Sequence, residues 1–357
     1  MHDFIYNALP GKVVFGCGKL ASVKEEVAAM NSGKALVLCT PEQRELAEQV
    51  SDLLGELSAG VYDKAVMHVP IETAHAGGDE ASRVKAGCTV AVGGGSTIGL
   101  AKAIALHQGL PILAIPTTYA GSEMTPVWGI TKDGIKTTGR DQNVLPETVI
   151  YDPELVTSLP GFITGPSGLN AIAHCVEALY AENANPIISM LAEEGIRAIA
   201  RSLETAVNEP ENLDARSDTL YGAWLAGASL GAVGMSLHHK LCHTLGGSFN
   251  LPHAEVHSIV IAYATAYNTP NAQDAIQRVA RAMGCDKPED APKALHQLVK
   301  AVCNKTSLKE LGMTEEDLDK AADIAASNPY YNPRPVTREG MRALLGDAFD
   351  GREPSVA

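Results

Sequence analysis

Positive charge is in short supply in this chain. It carries 28 lysines and arginines against 42 acidic residues, a formal net charge of −14 at pH 7. No dense run of Lys or Arg occurs, so the basic stripe with which a nucleic-acid binder displaces counterions is missing, and nucleic acid is not an expected partner. Cysteine is present but unorganised. The residues Cys17, Cys39, Cys88, Cys175, Cys242, Cys285 and Cys303 are odd in number, scattered, and form no CxxC pair. That argues against a disulfide framework or a thiolate zinc site and fits a reducing cytoplasm. Each thiol is expected to be buried filler. Long apolar runs are absent as well. No stretch reaches the ~18 uninterrupted apolar residues of a membrane span. The opening MHDFIYNALPGK has no charged start followed by an apolar core, so neither a membrane partner nor a signal peptide is expected.

What is present is globular. With 357 residues, 45% hydrophobic and 20% charged, the chain suggests about two domains of ~100–200 residues each. Ala35–Cys39 (ALVLC), Thr89–Val92 (TVAV) and Pro111–Ile115 (PILAI) read as buried strands, with Glu42–Leu54 and Thr97–Leu106 as helices among them. Strands alternating with helices predict an α/β domain, a Rossmann-like parallel sheet covered on both faces, over residues 1–160. From Gly161 the strand signals vanish. Ala-rich segments of helical period take over, among them Gly168–Ala181, Ile187–Glu204, Thr219–Ser229, Met235–Leu245, Val256–Tyr267 and Thr337–Ala348. They predict an all-α C-terminal domain over residues 161–357. The Pro- and Gly-rich stretch Pro160–Gly168 reads as a hinge between the two.

Two loops carry binding chemistry. In CTVAVGGGSTIGLAKAIA (Cys88–Ala105) an apolar strand runs into Gly93, Gly94, Gly95 and Ser96, and a helix follows. Glycines let the backbone approach a ligand, and the helix N-terminus offers unpaired N–H groups and partial positive charge, together a pyrophosphate seat. This is not the GxGxxG fingerprint, and a plain strand-to-helix turn is the competing reading. The loop PTTYAGSEMTP (Pro116–Pro126) also follows a strand and offers Thr117, Thr118, Ser122 and Thr125. Loops leaving the carboxyl ends of neighbouring strands face the crevice where open α/β sheets bind ligands. After the strand ending at Cys39, where a carboxylate would bind the adenosine ribose and repel a 2′-phosphate, stand Thr40 and Pro41. Both NADH and NADPH are therefore expected to be accepted.

Histidine is the second signal. Of 11 histidines, His174, His238, His239, His243, His253 and His257 lie close together in sequence. On a helix Asn170, His174 and Glu177 share a face, as do His239 and His243. Singly, a histidine is more often a core or surface residue than a ligand. Repeated i, i+4 spacing points to a shared site, and three imidazoles with a carboxylate would make a divalent-metal centre. The carboxylate position holds Asn170, a neutral and poorer ligand. The cluster is accordingly expected to be free of metal, with its imidazoles holding or protonating a substrate. Lys240, Lys136 and Arg140 are the nearest cations in sequence for an anionic substrate, with Lys136 expected to face the cofactor.

Taken together, VVFGCGKL, GGGSTIGLAK, PTTYAGSEMT, GLNAIAHCVEAL, HHKLCHTLGGSFNLPHAEVH and NPRPVT, in this order along the whole chain, resemble the iron-containing alcohol dehydrogenase family. The resemblance implies a Rossmann-like domain plus a helical domain, an active site in the cleft between them, and a homodimer. Family metal ligands, an Asp and three His, fall here on Asn170, His174, His239 and His253; the second histidine of the HxxxH pair, His243, falls beside the nicotinamide. Two positions depart from the family pattern: Asn170 stands for the Asp, and Gly99 for the acid of GGGSxxD. Both departures resemble one branch, whose members reduce the carbon–carbon double bond of a small oxo-dicarboxylate with NADH or NADPH in aromatic-ring degradation and are regarded as metal-free. The chemistry is compatible. An alkoxide is a localised oxyanion that a metal stabilises well, whereas hydride addition to a conjugated alkene spreads charge over an enolate that donors and an acid such as His243 or His253 can handle. Competing readings are a metal-dependent alcohol or polyol dehydrogenase, a lyase resembling dehydroquinate synthase, and a non-catalytic NAD-binding protein.

Overall fold

The computed structural model describes Phe4, Tyr6, Ala8, Leu9 and residues 11–327 and 330–356. By contacts the chain divides into two units, Ala8–Ser158 and Leu159 onward.

In the first unit the elements are β1 (Lys12–Phe15), α1 (Val23–Ala29), β2 (Ala35–Leu38), α2 (Arg44–Leu54), β3 (Ser58–Tyr62), α3 (Ile71–Arg83), β4 (Cys88–Gly93), α4 (Gly95–Gln108), β5 (Ile112–Pro116), β6 (Val127–Lys132), β7 (Ile135–Arg140) and β8 (Thr148–Tyr151). Six strands form one sheet in the order β1-β8-β5-β4-β2-β3, and every pair in it is parallel. The central strands are apolar without alternation because both faces are covered. Ala35, Val37 and Cys39 pack with Val27, Val50 and Leu54 of α1 and α2. The intervening Leu36 and Leu38 pack with Ile98, Ala101 and Ile104 of α4. β6 and β7 form a separate antiparallel hairpin. Its turn, Asp133 and Gly134, has φ of 51° and 76°, the pair of positive values that a two-residue hairpin turn of matching twist requires.

The second unit is helical: α5 (Gly161–Leu179), α6 (Pro186–Asn208), α7 (Leu213–Ala232), α8 (Leu237–Phe249), α9 (His253–Asn268), α10 (Gln273–Ala282), α11 (Ala291–Val302), α12 (Asp317–Ser327) and α13 (Arg338–Asp350). No single helix among the described residues is long and apolar enough to cross a membrane. The stretch expected as a hinge is instead the first part of α5, with Pro160 as its N-cap and Pro166 inside it. Two facts make this possible. The carbonyl that Pro166 leaves without an i→i−4 donor belongs to Phe162, an exposed residue near the start of the helix. The glycines are packing residues rather than flexible ones: a Cβ on Gly165 would sit 2.1 Å from the Val302 carbonyl oxygen, and one on Gly168 2.5 Å from Leu203. α5 is buried from Thr164 to Leu179, which places the Asn170–His174–Glu177 face inside the unit.

Candidate active site

The exits of β2, β4 and β5 lie side by side, since these strands are neighbours in the sheet. Gly93 ends β4 at φ +149°, and a Cβ there would meet Thr97 Oγ1 at 2.5 Å and Gln43 Oε1 at 2.6 Å, so only glycine fits. Gly94 is the N-cap of α4 and carries no capping side chain. A Cβ on Gly94 would touch Thr118 at 3.0 Å, whereas Gly95 faces open space. Open backbone at an uncapped helix start is the geometry of an anion seat. Thr40 caps the short turn after β2, and Ser96 lies in the first turn of α4. Gln43 Nε2 donates to Thr117 Oγ1 at 2.7 Å, tying the β2 exit to the β5 exit across Gly93.

Beneath these loops lies a buried cation. Lys102 of α4 donates through Nζ to the carbonyls of Ser122 (2.6 Å), Thr125 (2.7 Å) and Val127 (2.8 Å) and to Thr125 Oγ1 (2.9 Å). Thr125 is thus turned inward onto Lys102, and Ser122 is held through its backbone. Burial pushes the Lys102 amine down to about 7, against the opposing pull of the Glu123 carboxylate. Glu123, itself raised by burial, accepts from Tyr151 Oη at 2.8 Å. Lys136 and Arg140 lie on β7, outside the six-stranded sheet.

In the helical unit α5, α8 and α9 bring the histidines together. The rings of His174 and His239 stack with centroids 5.0 Å apart, His243 lies 6.4 Å from both His239 and His253, and His253 is 4.3 Å from His257. Asn170 is buried beside them on α5, and its Oδ1 has no protein partner; the same holds for His174 Nδ1 and His239 Nε2. Burial, then the neighbouring imidazoles of His239 and His253, hold His174 well below its ordinary value, so its ring is neutral. Behind this group His238 Nε2 and His257 Nδ1 share a hydrogen bond at 3.0 Å, with Cys242 Sγ 3.7 Å from the same His238 nitrogen. Lys240 is the exception: it is exposed on α8, with Nζ 6.0 Å from the Tyr330 ring centroid.

The sequence reading passes over three polar residues that these units are built on. Gln43 left no signal. Lys102 did, as the lone charge in an otherwise apolar helical run, IGLAKAIA. Glu177 shows in sequence only as sharing a helix face with His174. It is fully buried and accepts from His239 Nδ1 at 2.6 Å and from the backbone N–H groups of Ser236 at 3.0 Å and His238 at 2.7 Å.

Comparison with known proteins extends over the same chain. The sequence pattern described as "Iron-containing alcohol dehydrogenase" matches residues 10–153, and that described as "Fe-containing alcohol dehydrogenase family, C-terminal" matches residues 164–349. A maleylacetate reductase from Burkholderia cepacia is 56% identical over 355 residues, 99% of this chain and 100% of its own. Another, from Sphingobium indicum, is 51% identical with the same coverage. The crystal structure of maleylacetate reductase from Agrobacterium tumefaciens is 46% identical, covers 99% of this chain and 100% of that one, and superposes with a TM-score of 0.96.

One expectation is corrected here. Asn170 in place of an acid led to the expectation of no metal. The matched family is an iron-containing one, and His238, Cys242 and His257 hold ligand-type atoms within 4.8 Å of one another. The physical reason is that an amide for a carboxylate removes charge but not a lone pair. Asn170 Oδ1 and His239 Nε2 are buried acceptors without a protein partner, beside a neutral His174. Such a donor set fits a divalent cation.

Proposed function

The chain belongs to the iron-containing alcohol dehydrogenase family, and from that premise we propose that it reduces the carbon–carbon double bond of maleylacetate with NADH or NADPH, giving 3-oxoadipate in aromatic-compound degradation. The observation that carries this reading is identity of 56% along 99% of the chain to a protein of that activity. In the reaction hydride passes from the nicotinamide to the alkene carbon β to the ketone, the resulting enolate takes a proton on the adjacent carbon, and NAD(P)⁺ leaves. Only one proton is consumed besides the hydride.

The β4–α4 glycines and Ser96 seat the pyrophosphate, with Thr40, Thr117, Thr118, Ser122, Thr125 and Lys136 around the cofactor. Asn170, His174, His239 and Lys240 line the substrate site, with Lys240 the cation for a carboxylate and the unpartnered acceptors of Asn170 and His239 left for a metal. His243 and His253 are the candidates for delivering the proton. Asn170, His174, His239 and His253 are also the residues that would hold the family's metal. Bound there, it would supply Lewis-acid positive charge that stabilises a developing enolate. A neutral amide at Asn170 spares the dianionic substrate the repulsion that an aspartate would impose. The enzyme is further proposed to be cytoplasmic, on its unorganised cysteines, and a homodimer, on the family resemblance.

The test is direct: loss of NADH absorbance with maleylacetate, with 3-oxoadipate identified as product by mass spectrometry. Oxidation of simple alcohols or polyols in place of this reaction would return the chain to the alcohol dehydrogenase reading. His253→Ala should lower kcat by roughly 100-fold, the scale of a lost general acid, whether its ring gives the proton or holds the metal; near-normal turnover would remove His253 from both roles.

A further inference from the structure

We infer that Glu177 is a positioning residue that sets the tautomer of His239 while capping the helix that carries it. The inference rests on the reading of His239 as a site residue, not on the identity of the substrate. α8 begins at Leu237, and its N-cap Ser236 contributes no capping side chain. Its first N–H groups are nonetheless buried, and buried donors left unpaired cost ~1–3 kcal/mol each. Glu177, reaching across from α5, supplies the missing acceptor. Oε2 accepts from Ser236 N at 3.0 Å and Oε1 from His238 N at 2.7 Å. A negative side chain at this end also complements the helix dipole.

The same Oε2 lies 2.6 Å from His239 Nδ1. Both carboxylate oxygens already receive backbone N–H groups, which can only donate. Glu177 therefore acts as acceptor throughout, and Nδ1 is the nitrogen of His239 that carries hydrogen. Nε2 is left with a bare lone pair, buried and without a protein partner. One carboxylate thus decides that the site is met by an acceptor, able to take a cation or a substrate proton, rather than by an N–H. Capping and orienting are coupled because Ser236, His238 and His239 sit within one helical turn, so the carboxylate that starts α8 also fixes the ring three residues in.

Glu177→Gln tests both roles at once, since either setting of the amide also costs one backbone N–H its acceptor. With the amide nitrogen at the Oε2 position it faces His239 Nδ1, and His239 relieves that conflict by moving its hydrogen to Nε2. Imidazole nitrogen NMR shifts of the purified, chelator-treated protein should report Nδ1–H at His239 in the unaltered enzyme and Nε2–H in the variant. kcat should fall about 10- to 100-fold, with KM changed far less and NADH affinity by fluorescence unchanged. In a His239→Asn background, Glu177→Gln should cost no more than about twofold further, because its effect passes through the missing ring. If Glu177→Gln fails to fold, Glu177→Asp keeps the charge one methylene short, and the same shifts should show a mixture of tautomers. Overturning results are an unchanged Nδ1–H tautomer with kcat within twofold, or losses that multiply in the double variant. The tautomer reading stands or falls even if maleylacetate proves not to be the substrate.

Discussion

Asn170 shows how much one atom's chemistry carries. Its amide oxygen is a buried acceptor without a protein partner, beside an imidazole kept neutral by burial. Restoring the acid with Asn170→Asp adds a negative charge there. A titration with Co²⁺, followed by its absorption, should show affinity raised about tenfold or more, some 1.4 kcal/mol, while KM for the dicarboxylate rises. Unchanged affinity would mean that Asn170 does not face the cation. Lys102 is the other residue whose burial matters. Burial pushes its amine down to about 7, against ~10.4 in an unfolded chain. Between these values the unfolded chain binds more protons, so the contribution of Lys102 to stability grows as pH rises and is lost as pH falls through about 7. Melting of the native enzyme and of Lys102→Met, compared from pH 6 to about 9.5, should therefore show the native protein gaining on the variant as pH rises. Parallel curves would mean that the four surrounding oxygens keep the ammonium charged throughout.

Elements set where such residues point. β4 and α4 share a glycine corner whose side chains would collide with their surroundings: at Gly94 a Cβ already touches Thr118 at 3.0 Å. Gly94→Val should therefore abolish NADH binding, measured by fluorescence titration, with the circular dichroism spectrum retained; unchanged affinity would reduce the loop to a turn. That corner was legible because an apolar strand, three glycines and a helix start follow one another without a gap. The stretch Pro160–Gly168 reads as a hinge in sequence for the opposite reason. Proline and glycine signal breaks locally, yet here Gly165 and Gly168 let α5 lie against Val302 and Leu203, and such close contacts exist only once the partner helices are in place. Glu177 was seen in sequence as a neighbour of His174; that it caps α8 depends on a contact across 59 residues.

At the scale of the whole molecule the net charge of −14 opposes a dianionic substrate and an anionic cofactor. Salt screens such long-range repulsion, with a Debye length near 10 Å at 0.1 M. Raising ionic strength from 0.01 to 0.15 M should increase kcat/KM for the dicarboxylate by about threefold, measured at saturating NADH. A steep fall instead would show that local positive charge in the site outweighs the global field.

By itself the sequence determined the class of architecture, because period and composition are local: buried apolar strands alternating with helices, then helices alone. It also marked the glycine corner and the i, i+4 histidines, whose spacing is a property of one helix. Tertiary structure decided the rest. Only the sheet order brings Thr40, Gly93 and Thr117 to neighbouring strand ends, with Gln43 bridging two of them. Only the packing of α5 on α8 aims the Glu177 carboxylate at His239, and only burial neutralises His174. Hydrogen-bond partners, desolvation and tautomers arise between segments far apart in sequence, and no periodicity along the chain encodes them.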